Sequence, residues 1–189
     1  FMKNKAVLIG IILLVAVVVM AVIFTGNKND TQNPENNGGS QQQVSNLPED
    51  LTQVVDEIYK KVETQLPNLA TTELDVADAE LVQYNTGLKS IDKVEKVVIS
   101  EPLMTSQAYS LVLVKAKAGA DIESMKKEMF DNIDTRKWIC VEAEKVCVTN
   151  SDNLICLVMT NKETATTVFE AFKTVAGTTG KELQREIEI

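Results

Sequence analysis

Apolar and polar positions divide the chain into stretches of different character. Ala6 to Phe24 is nineteen consecutive residues without a charge, rich in Val, Ile and Leu. At about 1.5 Å per residue, a helix of that length reaches about 28 Å, close to the hydrocarbon thickness of a bilayer. Backbone groups in lipid need internal partners, so the segment is expected to be a transmembrane helix. From Gly26 to Asn46 the composition turns to Asn, Gln, Gly and Ser, with Val44 the only aliphatic residue. Such a segment cannot bury apolar surface to offset its ordering entropy and reads as a flexible tether.

Periodic patterning begins after Pro48. Leu51, Val54, Val55, Ile58, Tyr59, Val62 and Leu66 recur at helical spacing, and Pro67 stops them. A shorter helix is predicted from Val76 to Tyr84, capped by Asp75 and ended by Gly87. The period then changes to that of strands: Val94–Ser100 and Ala108–Ala116. Leu111 to Val114 is apolar at every position, which indicates burial on both faces. Asp121 caps a helix with Ile122, Met125, Met129, Phe130 and Ile133 inward. Two strands, Ala143–Thr149 and Leu154–Thr160, flank the turn Asn150-Ser151-Asp152-Asn153. Asn161 caps a last helix with Val168, Phe169, Phe172 and Val175 inward and Gly177 at its end. The expected fold class is α+β: a four-stranded, mainly antiparallel sheet with helices largely on one face, built as two β-β-α units after two N-terminal helices.

The organisation read from these patterns is a cytoplasmic stub and transmembrane anchor at 1–25 and a polar linker at 26–47. An extracytoplasmic α+β domain follows at 48–177, and a charged tail at 178–189. Lys3 and Lys5 before the apolar run hold the N-terminus in the cytoplasm and send the rest outside, as a single-pass protein of the cell membrane. Met2 is read as the start. A cleavable signal peptide is the rival, with Val19-Met20-Ala21 as a small-residue cleavage site. The apolar run continues through Val22, Ile23 and Phe24, which favours an uncleaved anchor. No Cys follows the run, so a lipoprotein signal is excluded.

Charge and rare residues narrow the function classes. Two of the 19 basic residues, Lys3 and Lys5, precede the apolar run, and none of the 27 acidic ones does, so the remainder carries 17 against 27, a net of −10. That balance repels nucleic acid and suits a cationic partner. The chain has no His, which removes Ser-His and Cys-His couples and imidazole ligands. Cys140, Cys147 and Cys156 have a C-x6-C-x8-C spacing that matches no zinc pattern. No cofactor and no metal are expected.

The segment Glu101–Lys117, EPLMTSQAYSLVLVKAK, is followed by a capped amphipathic helix and then by Trp138 and two short strands. Over roughly Leu51 to Ala176 this pattern resembles an uncharacterised bacterial family of membrane- or lipid-anchored extracytoplasmic proteins, known only as a domain of unknown function. The resemblance implies the architecture and the location; it brings no catalytic residues.

Local candidates are few. A hairpin turning on Ser151-Asp152 sets Cys147 opposite Cys156, where a non-hydrogen-bonded pair could approach the separation a disulfide needs. Two buried free thiols are the alternative. Trp138 is a candidate binding anchor if exposed, and otherwise a core seal between helix and strand. Glu142 and Glu144 alternate on one strand face and read as a solvated pair, Lys115 and Lys117 likewise, and Asp75, Asp78 and Glu80 as helix capping and first-turn charge. Met125 and Met129 read as core. The function expected is a non-catalytic, membrane-tethered binding module for an envelope protein or a wall polymer. A structural or regulatory subunit of a membrane complex and a carboxylate-dependent extracytoplasmic enzyme are the alternatives.

Overall fold

A computed structural model describes residues 47–188. The anchor read at Ala6–Phe24 and nearly all of the linker lie outside the described residues. Among the described residues no helix is long and apolar enough to cross a membrane.

Helix α1 spans Leu51–Tyr59 and is capped by Asp50, whose side chain accepts from Thr52 N at 2.9 Å. Its buried stripe is Leu51, Val54, Val55 and Ile58. Strand β1, Leu69–Leu74, leads to helix α2, Ala79–Thr86. The cap of α2 is Asp78, accepting from Leu81 N at 3.0 Å, while Asp75 closes a turn by accepting from Ala77 N at 2.9 Å. Strands β2, Val94–Pro102, and β3, Ser110–Ala116, form a hairpin. Asp121 then caps helix α3, Ile122–Asn132. Strands β4, Lys145–Ser151, and β5, Leu154–Thr160, form a second hairpin, with Asp152 at φ 47 in its turn. Asn161 caps helix α4, Lys162–Ala176, and strand β6, Leu183–Glu186, closes the chain.

All pairings are antiparallel, and the sheet order is β1-β2-β3-β5-β4-β6. The expected four-stranded sheet is therefore corrected to six strands. The two additions are the edges. In β1, Ala70 to Glu73 are exposed and only Leu74 is buried, so an apolar alternation never develops. In β6 the sequence Leu-Gln-Arg-Glu places Gln184 and Glu186 outward, so its pattern resembles a charged tail more than a strand.

The helix placement is corrected as well. Successive residues of the central strands face opposite sides, and each side has its own core. Leu111, Leu113, Cys147, Cys156 and Val158 pack with α1 and α4, including Phe169 and Phe172. Val112, Val114, Val146, Val148 and Leu157 pack with Val82 of α2 and with Met125 and Met129 of α3. Helices thus cover both faces, two on each. The continuous burial of Leu111–Val114 and of all β5 residues follows directly.

In the first core, Tyr109 donates its hydroxyl to Tyr59 at 3.0 Å. Burial pushes the Tyr59 phenol up to about 12, against hydrogen bonds that lower it, and burial pushes Tyr109 well above its usual range. Both stay protonated in the fold when an unfolded tyrosine, near 10, has begun to ionise. The unfolded state then binds fewer protons, so stability falls as pH rises from about 10 to about 12. Tyr59 alone accounts for about 2 kcal/mol of that loss. Urea midpoints followed across this range should decline steeply in the wild type and less in Tyr59→Phe; parallel slopes would exclude Tyr59 as the source.

The two ends of the sheet differ. At one end, Leu47 borders a hollow with Lys115, Ser151 and Asn153, so the chain enters there. At the other, the loops 103–109 and 133–144 meet.

Candidate functional site

The loop end of the sheet is organised by one buried cation. Register sets Ser110 of β3 opposite Glu101 of β2, one step beyond the Ser100–Leu111 pair. Ser110 Oγ donates to Glu101 Oε1 at 2.7 Å. Lys137 enters from the loop after α3, its side chain only 2% exposed, and its ammonium contacts the same carboxylate. Its Nζ lies 3.0 Å from Asn85 Oδ1 of α2 and 3.4 Å from Ser110 Oγ. It also lies 5.6 Å from the ring centroids of both Tyr84 and Trp138. Burial lowers the Lys137 amine below the usual lysine range, and the Glu101 charge and hydrogen bond oppose that shift. A Ser-Lys hydrolase is a poor reading of this geometry. Ser110 is fully buried and spends its proton on Glu101, leaving no approach for a substrate.

The loops and helix around this cluster expose four large apolar side chains among polar ones. Leu103 is 71% exposed, Met104 68%, Ile139 67% and Tyr84 53%. Backbone bonds fix the loops that carry them: Ile139 N donates to Thr105 O at 3.2 Å, and Leu103 N to Asn68 O at 3.1 Å. Tyr84 is tied down as well, its hydroxyl donating to Lys137 O at 3.1 Å. Cys140 follows Ile139 with φ 61, a left-handed conformation that turns the loop sharply.

Beside the loops runs a groove of about 480 Å³ between Pro67, Gln107, Tyr109, Glu142, Glu144 and Thr164. Glu142 and Glu144 both line it, but they precede β4, which begins at Lys145, and are half-buried, so they are not the solvated strand-face pair expected. Each is already engaged: Glu142 accepts from Thr135 Oγ1 at 3.0 Å and faces Arg136 Nε at 3.5 Å, and Glu144 Oε2 accepts from Lys162 N at 3.1 Å. With those contacts made, they do not read as an acid–base pair.

The residues singled out in the sequence fall as follows. Trp138 is 8% exposed and packs in the core of α2 and α3, so it seals that core and is not itself a surface anchor. Its Nε1 is buried without a partner. The hairpin register differs by two residues from the expected one: Cys147 pairs with Val158 and Cys156 with Thr149. The two thiols share a face as diagonal neighbours, beyond disulfide reach, and both are free. Burial raises the Cys147 thiol to about 11 and the Cys156 thiol well above its usual range, so both are unreactive small hydrophobes. Lys115 bridges Glu95 at 2.9 Å and Lys117 Nζ donates to Asp92 O at 2.9 Å. Met125 and Met129 are core. Among the described residues no group of three or more His, Cys, Asp or Glu could hold a metal.

Sequence reasoning missed Lys137, Asn85 and Glu101 because their burial is a tertiary outcome. The Pro102-Leu103-Met104 break carried one usable signal: two large apolar residues sit outside any periodic run. Comparison of the chain with protein-family models, curated proteins and solved structures gives no match in any of the three.

Proposed function

We propose that this chain is a membrane-tethered extracytoplasmic interaction module that docks a basic, apolar segment of another envelope protein. The observation that carries the reading is the group of exposed large side chains, Leu103, Met104, Ile139 and Tyr84, held on hydrogen-bonded loops at one end of the sheet. Clustered exposed apolar side chains on pre-formed loops favour a protein partner, because little ordering entropy remains to be lost on binding. The sign of the partner's charge follows from the net of −10 outside the apolar run and from Glu142 and Glu144 beside the loops.

The tethering half of the proposal rests on the uncharged run Ala6–Phe24, the preceding lysines and the polar stretch that follows. The resemblance to anchored extracytoplasmic proteins agrees with it. Leu47 lies at the end of the strands away from the apolar loops, so a tether would leave them clear of its own attachment point.

In-cell cross-linking of the full chain tests both halves. A captured envelope protein should fall at least tenfold in yield when Leu103, Met104 and Ile139 are all changed to Ser, with the domain still folded by circular dichroism. It should persist when the anchor is replaced by an unrelated one. Capture that survives the triple change refutes the docking surface. Capture that is lost with the anchor swap favours a membrane-complex subunit instead.

A further inference from the structure

We propose that Lys137 and Asn85 join covalently: Lys137 Nζ attacks the side-chain amide carbon of Asn85, Glu101 moves the protons, and an isopeptide bond forms as ammonia leaves. Such a reaction needs four things: an amine that can become neutral, an amide carbonyl within reach, a group that shuttles protons, and the exclusion of water. The first three meet at the loop end of the sheet, and the two reacting side chains, Lys137 and Asn85, are themselves buried.

The nucleophile and its target are both buried. Lys137 has a side chain 2% exposed and Asn85 is 3% exposed. Nζ lies 3.0 Å from Oδ1, one bond from the carbon to be attacked. The amide cannot turn freely, because its Nδ2 donates to Leu81 O at 2.9 Å. That bond keeps the carbonyl toward the amine. The Tyr84 and Trp138 rings, each 5.6 Å from Nζ, wall the cluster, and the Tyr84 hydroxyl grips the backbone carbonyl of Lys137.

Glu101 supplies the proton path. Its Oε1 contacts Nζ and accepts from Ser110, which fixes the carboxylate. Burial already works against the ammonium form of Lys137. The Lys137 side chain is 2% exposed and that of Glu101 25%, so transfer of one proton from Nζ to Glu101 removes a buried positive charge and leaves the acid with one side open to solvent. The free amine adds to Cγ of Asn85 and the carbonyl electrons move to Oδ1. Glu101 returns its proton to Nδ2, the Cγ–Nδ2 bond breaks, and ammonia departs as ammonium with one of the two protons left on Nζ, the other staying on the new amide nitrogen. Overall an ammonium and an amide become a secondary amide and an ammonium ion, with no oxidant or other reactant. The product ties α2 to the loop that carries Ile139, across 52 residues of sequence.

The test is the mass of the full chain, expressed and purified in detergent. The expected result is an intact mass lower than the sequence mass by one ammonia, about 17 Da. After trypsin, a branched product should join the Asn85 and Lys137 peptides, uncut after Lys137. An intact mass equal to the sequence mass overturns the proposal. So does a loss of ammonia carried by a linear Asn85 peptide, which is a cyclic imide. Lys137→Arg and Asn85→Ala should each show no loss. Glu101→Gln should leave the cross-linked fraction at least tenfold lower after the same interval, and undiminished formation would overturn the role of Glu101.

Discussion

Phe172→Ala is expected to lower the free energy of unfolding by about 4 kcal/mol. Phe172 lies on α4 with no exposed surface, in the core that α1 and α4 build against the sheet. Truncation removes a ring from a close-packed interior and leaves a cavity that the surrounding strands, fixed by hydrogen bonds on both sides, fill only in part. A domain of this size has about 5–15 kcal/mol in all, so the variant should unfold at a much lower urea concentration with little change in slope. Thr174→Ala, on the exposed side of the same helix, should change stability by no more than about 0.5 kcal/mol. A Phe172→Ala loss no greater than that of Thr174→Ala would mean that the two-face core is packed differently.

Gly87→Ala should cost about 3 kcal/mol, an unusual penalty for adding one methyl group. Gly87 ends α2 at φ +75, where its N–H bonds Gln83 O at 2.8 Å. A Cβ there would sit 2.7 Å from Ile133 N and 3.1 Å from Asn132 C, both backbone atoms at the end of α3. Part of the cost is the left-handed conformation and part is this collision. Gly119 separates the two contributions. It has φ +75 with nothing within 4 Å of an added Cβ, so Gly119→Ala should cost only about 1 kcal/mol. Urea titrations of the two variants measure the difference directly; equal losses would deny the close approach of α2 to α3. Because Asn85 lies two residues before Gly87 and Lys137 four after Ile133, spreading the helices should also draw the amine from the amide. Gly87→Ala is therefore expected to slow the cross-link.

Much of the architecture is visible in the chain because burial and period coincide. The stripe of α1, the Asp121 and Asn161 caps and the apolar run of β5 all announce themselves locally. The edges do not. Strand β1 owes its existence to pairing with β2, and Ala70, Thr71, Thr72 and Glu73 offer no inward face to detect. One clue to the helix placement was present and conflicted with the expectation: strands apolar at every position, such as Leu111–Val114, require covering on both sides. The hairpin register turned on which two of four polar residues make the turn. The choice of Asp152 and Asn153 shifted Cys147 two places along its partner strand. The candidate site was the least legible part. Lys137, Asn85 and Glu101 come from a loop, a helix and a strand that are distant in sequence, and each residue alone looks like an ordinary polar side chain facing water.

The entry of the chain beside Lys115 and Asn153, at the far end of the strands from Leu103 and Ile139, sets how tension would pass through the domain. In the reading proposed above, a pull between an N-terminal tether and a partner docked on those loops would run along the strands. It reaches α1 first, and α1 is held by four buried side chains and not by ladder hydrogen bonds. Under load α1 is then the joint that yields, sliding from a sheet whose strands β2 and β3 are each bonded on two sides. Resistance to force is governed by the rate of that detachment and not by equilibrium stability. The proposed Asn85–Lys137 tie lies beyond the joint, so the apolar loops would keep their shape after the helix has let go.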